Sequence, residues 1–191
     1  MLIGMGRWEP DARGRMQRAA LELFAERGYE QTSAGDIAER AGVTERTFFR
    51  HFPDKREVLF AGTPMDEAMH DGVLAAPEHA TPHEAALAGM CAGAALLEER
   101  RDYAALRARV VEATPPLRER ELLKSAAMTA ATYRALRTRG VSEPVADLAA
   151  HSAVTVFRVG FLRWVDARND AAQQSFADII TATAAELRAL M

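Results

Sequence analysis

The side chains best suited to chemistry in this chain stand on one short stretch, from Thr44 to Phe52. At helical spacing Phe48 and Phe52 share one face, and Thr44, Glu45, Arg46, Thr47, Arg50 and His51 share another. Between Val43 and Arg56 four cations, Arg46, Arg50, Lys55 and Arg56, stand against two carboxylates, Glu45 and Asp54. Across the first sixty residues the two signs balance, so the excess is local. Positive charge gathered on one short helix and its flank suits phosphate contact, and an arginine there can also read a guanine edge. The formal net charge of the whole chain is -3, so a nucleic-acid surface has to be this patch and not the molecule at large.

Other chemistries lack their residues. His83-Glu84 begins like a zinc-protease helix, but Leu87 occupies the place of the second histidine, and Pro82 separates His79 from His83 across a helix start. No glycine-rich phosphate loop and no nucleophile elbow occur, and Cys91 lies mid-helix on an apolar face where a buried thiol is expected. The reading is therefore not an enzyme, with no metal and no cofactor. A single cysteine and an N-terminus without a signal-length apolar stretch point to the cytoplasm. Charges interrupt every long hydrophobic window, so no membrane span is expected.

The elements that position Thr44 to Phe52 are helices. Apolar residues recur every three or four positions throughout, with no sustained alternation, so the fold class is all-α. The first helix carries Met16, Ala19, Ala20, Leu23 and Phe24 and stops at Gly28. The second is capped by Thr32 and Ser33, buries Ile37, Ala38 and Ala41, and stops at Gly42. The third, capped by Thr44, ends at Pro53, and Asp54 with Glu57 predicts a fourth that either breaks or kinks at Gly62-Thr63-Pro64. Thr81-Pro82-His83-Glu84 opens a further helix, one spans roughly 103–113, another runs from Thr114-Pro115-Pro116 to Gly140, and Ser142-Pro144 opens one to about Ala167. Asp170 with Gln173 opens the last. Two helices joined by Ala41-Gly42-Val43 cross sharply, which is the arrangement of a helix-turn-helix.

The run Gly28-Tyr29, Thr32-Ser33, Asp36-Ile37-Ala38, Ala41-Gly42-Val43-Thr44, Thr47-Phe48-Phe49, His51-Phe52 and Lys55 resembles the DNA-binding head of the TetR family of regulators. The resemblance covers about a third of the chain. It implies a helix-turn-helix DNA-binding domain over residues 1–60, including the start of a linking helix, and a helical effector-binding and dimerisation domain over 61–191. It also implies a homodimer whose recognition helices enter successive major grooves about 34 Å apart on a palindromic double-stranded operator. By the same resemblance Ser33, Thr44, Thr47 and Lys55 match phosphate-contacting positions, and Glu45, Arg46, Phe49, Arg50 and His51 lie on or beside the base-reading surface. The family usually has tyrosine where this chain has Phe49, so only stacking or a thymine-methyl contact is left there.

In the second domain a small-molecule pocket would draw its lining from Met90, Cys91, Met128, Tyr133, Phe157, Phe161 and Trp164, each of which also suits ordinary core packing. The last two helices would pair with their symmetry mates, Gly160, Ala177, Thr181 and Ala184 permitting close approach; the alternative is that these small residues pack within one subunit. The expected function is a repressor released from its operator by a small-molecule inducer. Ligand-independent binding, activation, and a helical interaction protein with a degenerate helix-turn-helix are the alternatives.

Overall fold

The computed structural model describes residues 11–61, 64–166 and 174–190. Every regular element among them is helical, and the chain divides into two compact units, Met1–Ala61 and Gly62–Met191.

The first unit holds α1 (Ala12–Arg27), α2 (Ala34–Arg40) and α3 (Glu45–His51), followed by a single 3-10 turn at Glu57–Leu59. Its core is made by Met16, Ala20, Leu21, Leu23 and Phe24 of α1, Ile37 and Ala38 of α2, and Phe48 and Phe52 at α3, all nearly inaccessible to solvent. Ser33, not Thr32, caps α2. Its hydroxyl accepts from the Asp36 N–H while the Asp36 carboxylate accepts from the Ser33 N–H at 2.7 Å. Thr32 turns inward, where its buried hydroxyl donates to the Gly28 carbonyl at 2.9 Å. The expected fourth helix at Asp54 does not form. Asp54 does accept from the N–H groups of Arg56 and Glu57, but the backbone makes only the 3-10 turn before the next helix begins at Met65. The Gly62-Thr63 part of the expected break lies outside the described residues.

The second unit contains α4 (Met65–Ala75), α5 (Pro82–Ala95), α6 (Arg101–Ala113), α7 (Pro115–Thr138), α8 (Glu143–Val165) and α9 (Phe176–Ala189). The helix start expected at Asp170 and Gln173 lies outside the described residues; within them α9 opens later, where Ser175 accepts from the Asp178 N–H. Helices α4 and α5 approach with their backbones nearly touching. A Cβ added at Gly89 would stand 2.5 Å from the Met69 carbonyl oxygen, and one at Gly93 would stand 2.7 Å from the Met69 side chain. Arg139, past the end of α7, clips the end of α4 by donating to the carbonyls of Ala76 and Pro77, each at 2.6 Å. Helix α8 runs along α5, α7 and α9. By length and composition α8 has a window apolar enough to cross a membrane, its few charges being far apart; a buried core helix meets the same description, so the sequence expectation of no span is not contradicted. Here its apolar face, from Ala146 through Val156 to Trp164, is core.

Two measurements test these contacts. Gly89→Ala forces a side chain against backbone that cannot retreat, so it should destabilise the protein by about 2 kcal/mol or more in denaturant unfolding, since overpacking costs roughly 1–3 kcal/mol. Asp36 is held down at about 2 by the Ser33 hydroxyl, the Ser33 N–H and Arg27. Because the folded value lies below the unfolded one, its contribution is complete above the ordinary carboxylate range and is lost as pH falls toward 2. Asp36→Asn should therefore lower stability at pH 7 and flatten the decline between pH 4 and 2, as read from urea midpoints.

Candidate nucleic-acid interface

Helix α3 has seven residues, too few to hold itself together in water. It is fixed from three sides. Phe48 and Phe52 anchor its inner face, with ring centroids 5.2 Å apart. The turn before it is locked by two reverse hydrogen bonds, Gly42 N–H to the Glu39 carbonyl at 3.0 Å and Val43 N–H to the Ala38 carbonyl at 2.9 Å. That pattern needs a left-handed residue between them, and Gly42 has φ of 68°. At its N-terminus the Thr44 hydroxyl accepts from the Thr47 N–H at 3.2 Å.

The outer face is open. Arg46 and Arg50 are exposed and make no hydrogen bond or ion pair with the described residues. Phe49 between them is 51% exposed, its ring set edge-on to buried Phe48. Thr44 and Thr47 share one hydroxyl–hydroxyl hydrogen bond of 3.0 Å, so of their two O–H groups one is left to donate outward. His51 is exposed at the far end of the helix, its ring 6.2 Å from that of Phe52. These residues, singled out in the sequence, form one continuous surface. Elsewhere in the unit several cations are matched: Arg27 pairs with Asp36 at 2.9 Å, Arg40 with Glu26 at 3.0 Å, and Arg56 lies against Asp54 and Glu57, while Arg13 lies over the Phe52 ring and Arg18 is exposed. Arg46 and Arg50 thus stand on α3 without a carboxylate partner among the described residues.

Two of the sequence candidates, Ser33 and Lys55, are already hydrogen-bonded within the chain, and a third, Glu45, is exposed. The Ser33 N–H and hydroxyl both donate to Asp36. The Lys55 ammonium donates to the carbonyls of Tyr29 at 2.8 Å and Thr32 at 3.1 Å and sits 4.0 Å from the Tyr29 ring centre, so it ties down the loop between α1 and α2. The Glu45 carboxylate leans toward Gly35 in the first turn of α2. Sequence reasoning missed the role of Arg15, whose Nε donates to the Ala41 carbonyl at 3.1 Å and so fixes the end of α2 from α1. Nothing in a solvent-facing arginine of α1 announces such a contact.

In the second unit the proposed pocket residues lie in packed core. Met90, Met128, Phe157 and Trp164 are buried, and Cys91, Tyr133 and Phe161 are packed against them. Phe157, Phe161 and Trp164 surround Phe176 of α9, Trp164 stacking on it at 4.9 Å. Burial raises the Cys91 thiol above its usual range, which leaves it a poor nucleophile. The proposed interface residues divide. Gly160 faces Ile179 and Ile180 of the same chain and so serves the α8–α9 contact inside the subunit, and Ala184 is buried in the same core, whereas Thr181 is exposed and Ala177 partly so. Small residues allow close approach wherever helices cross, and the sequence does not say whose helix approaches.

Residues 18–61 match the N-terminal domain of the tetR family of bacterial regulatory proteins. The chain is 48% identical over 66 residues to the HTH-type transcriptional regulator TcmR of Streptomyces glaucescens, a match spanning 35% of this chain and 28% of TcmR. It thus covers less than a third of that relative. Among solved structures, a TetR-family transcriptional regulator from Syntrophomonas wolfei aligns over 94% of both chains with a TM-score of 0.62 at 19% identity. The SmeT–triclosan complex aligns over 92% of this chain and 90% of that one, with a TM-score of 0.63 at 19% identity. These two likenesses concern the fold. Residues 18–61 are thus similar in sequence to the N-terminal domain of tetR-family bacterial regulatory proteins, and the helical architecture resembles these two structures along almost its whole length.

Proposed function

We propose that this chain is a sequence-specific DNA-binding transcriptional regulator acting in the cytoplasm as a homodimer. The observation that carries the reading is the outer face of α3: two unpaired arginines flank a half-exposed phenylalanine on a helix whose other face is buried. A solvated charge needs no such scaffold, whereas base readout in a major groove needs side chains projected from a fixed helix. Arg46 and Arg50 supply the donors for base edges or phosphates, Phe49 an apolar contact, Thr44 and Thr47 a neutral phosphate contact, and His51 the edge of the surface. Ser33 and Lys55 contribute only by giving up some of their internal hydrogen bonds, and Glu45 acts by excluding wrong bases at the margin.

A dimer is supported by the outer face of α8. Val145, Leu148, Val159 and Leu162 are 46%, 72%, 39% and 63% exposed and recur at steps of three and four together with Ser152 and Thr155. Such a seam suits a second copy of the same helix in a four-helix interface with α9, where Thr181 lies outward. Regulation follows by linkage: an inducer that prefers a spacing of the two heads unlike that of the grooves lowers operator affinity, and operator lowers inducer affinity by the same factor. The triclosan in the SmeT complex is a small-molecule precedent on the same fold. We assign the protein the role of repressor on this basis.

Selection of random duplexes on the purified protein should recover an inverted repeat. The Arg46→Ala, Arg50→Ala double variant should bind it roughly 100-fold more weakly or worse, given about 1–3 kcal/mol per good base contact, with its helical signal and Tm unchanged. Retained affinity in that variant sinks the assignment of α3 as the reading helix. Leu148→Glu with Leu162→Glu should convert the dimer to a folded monomer by size measurement and abolish tight operator binding; an unchanged dimer would place the interface elsewhere.

A further inference from the structure

The exposed face of α8 reads alike in both directions about one residue. At helical spacing Leu148, Thr155 and Leu162 fall on one line, all exposed, with Thr155 midway between the two leucines. The polar members of this face ask nothing of a partner. Ser152 donates to the Ala149 carbonyl at 3.0 Å and Thr155 to the His151 carbonyl at 2.9 Å, and on α9 Thr181 donates to the Ala177 carbonyl at 3.0 Å. Each hydroxyl has its one O–H committed within its own helix, so covering the face strands no donor.

The two flanks of the line differ. On the side toward α9 lie Val145, Ser152, Val159 and Arg163, the last held by Thr183 at 3.1 Å and Glu186 at 2.7 Å. On the other side lie Asp147, His151 and Arg158, all exposed. The Asp147 carboxylate stands 3.5 Å from His151 Nδ1, and Arg158 makes no hydrogen bond or ion pair with the described residues. An isologous contact brings a face against itself, and the direction of the second helix decides which flanks meet. Parallel pairing sets Arg158 beside the partner's Val159, without a counter-charge. Antiparallel pairing about Thr155 keeps like flanks together and reverses their order. Leu148 then meets the partner's Leu162, and Arg158 comes beside the partner's His151. The partner's Asp147 lies about 7.5 Å further along the axis, a span that an extended arginine side chain covers.

We propose that α8 pairs with a second copy of itself in antiparallel register centred on Thr155, Leu148 packing on the partner's Leu162 and Arg158 facing the partner's Asp147. The leucines supply the buried apolar area. The charged edge chooses the direction, since opposite charges at a rim fix register more than they add affinity. This register rests on the reading of the chain as a homodimer through α8 and names which residues meet.

Single cysteines in the full-length chain map the register, with wild type as the control for Cys91. Under mild oxidation Thr155→Cys should cross-link to its own copy. Leu148→Cys and Leu162→Cys should each stay unlinked alone, because their copies stand about 21 Å apart along the axis, yet should link to each other when co-expressed. Asp147→Arg and Arg158→Asp should each weaken dimerisation roughly tenfold at low salt in sedimentation, two symmetric attractions having become repulsions. The double variant should recover most of that loss. Cross-linking of Leu148→Cys to its own copy shows parallel pairing and overturns the register while leaving the dimer intact. A dimer in which none of these cysteines links, or in which the double charge reversal brings no recovery, overturns it too. A monomeric wild type defeats the homodimer reading itself, which is thereby told apart from a wrong register.

Discussion

A seven-residue helix does not survive alone, and the first unit is organised around that constraint. The nucleation cost of a helix is recovered only over several turns, so α3 depends on burial of Phe48 and Phe52 for its existence and its orientation. The same two rings decide which side chains face outward. Arg46, Phe49 and Arg50 are exposed because the positions two and three residues away on the helix are pinned to α1 and α2. The reading surface and the core anchor are thus one feature seen from two sides. The Gly42 turn, the Ser33 and Thr44 caps and the Arg15 contact to Ala41 all restrict the remaining freedom, which is the angle at which α2 and α3 cross.

Electrostatics in this unit follow the same division. Carboxylates and guanidinium groups on α1 and α2 neutralise one another through Arg27–Asp36 and Arg40–Glu26, each exposed and worth little to stability. Their effect is to silence charge away from α3. Arg46 and Arg50 stay without a carboxylate partner on the face of α3 that has no packing role, which is how a protein with net negative charge keeps a local surface attractive to phosphate.

The second unit solves a different problem. Its long helices are stable enough to be used as walls, and small residues set how closely they approach. Gly89 and Gly93 bring α5 against Met69 of α4, and Gly160 brings α8 against Ile179 and Ile180 of α9. The Trp164–Phe176 stack and its neighbouring rings fill the α8–α9 end, and Arg139 and Glu98 fasten helix ends by hydrogen bonds to carbonyls of α4 and to the Phe176 N–H. The α6–α7 face departs from apolar packing with charge, through Arg107 and Glu121.

The order of helices, most of their caps and the outward face of α3 were legible in the sequence, because each depends on neighbours within a few positions. Ser33 with Asp36, Thr81 with Glu84, Thr44 with Thr47, and glycines at 28, 42 and 140 are local signals with local physics. Local signals also misled where a cap was present without a helix, as at Asp54, whose hydrogen bonds close one turn and stop. What the sequence left open was every choice of partner between distant elements. Lys55 resembles a phosphate contact by position yet donates to Tyr29 and Thr32, and Gly160 could have faced another subunit yet faces Ile179 and Ile180 of its own α9. Periodicity tells which face of a helix is buried, but burial against what is settled only when all helices pack at once, since each apolar face is satisfied equally well by any complementary one.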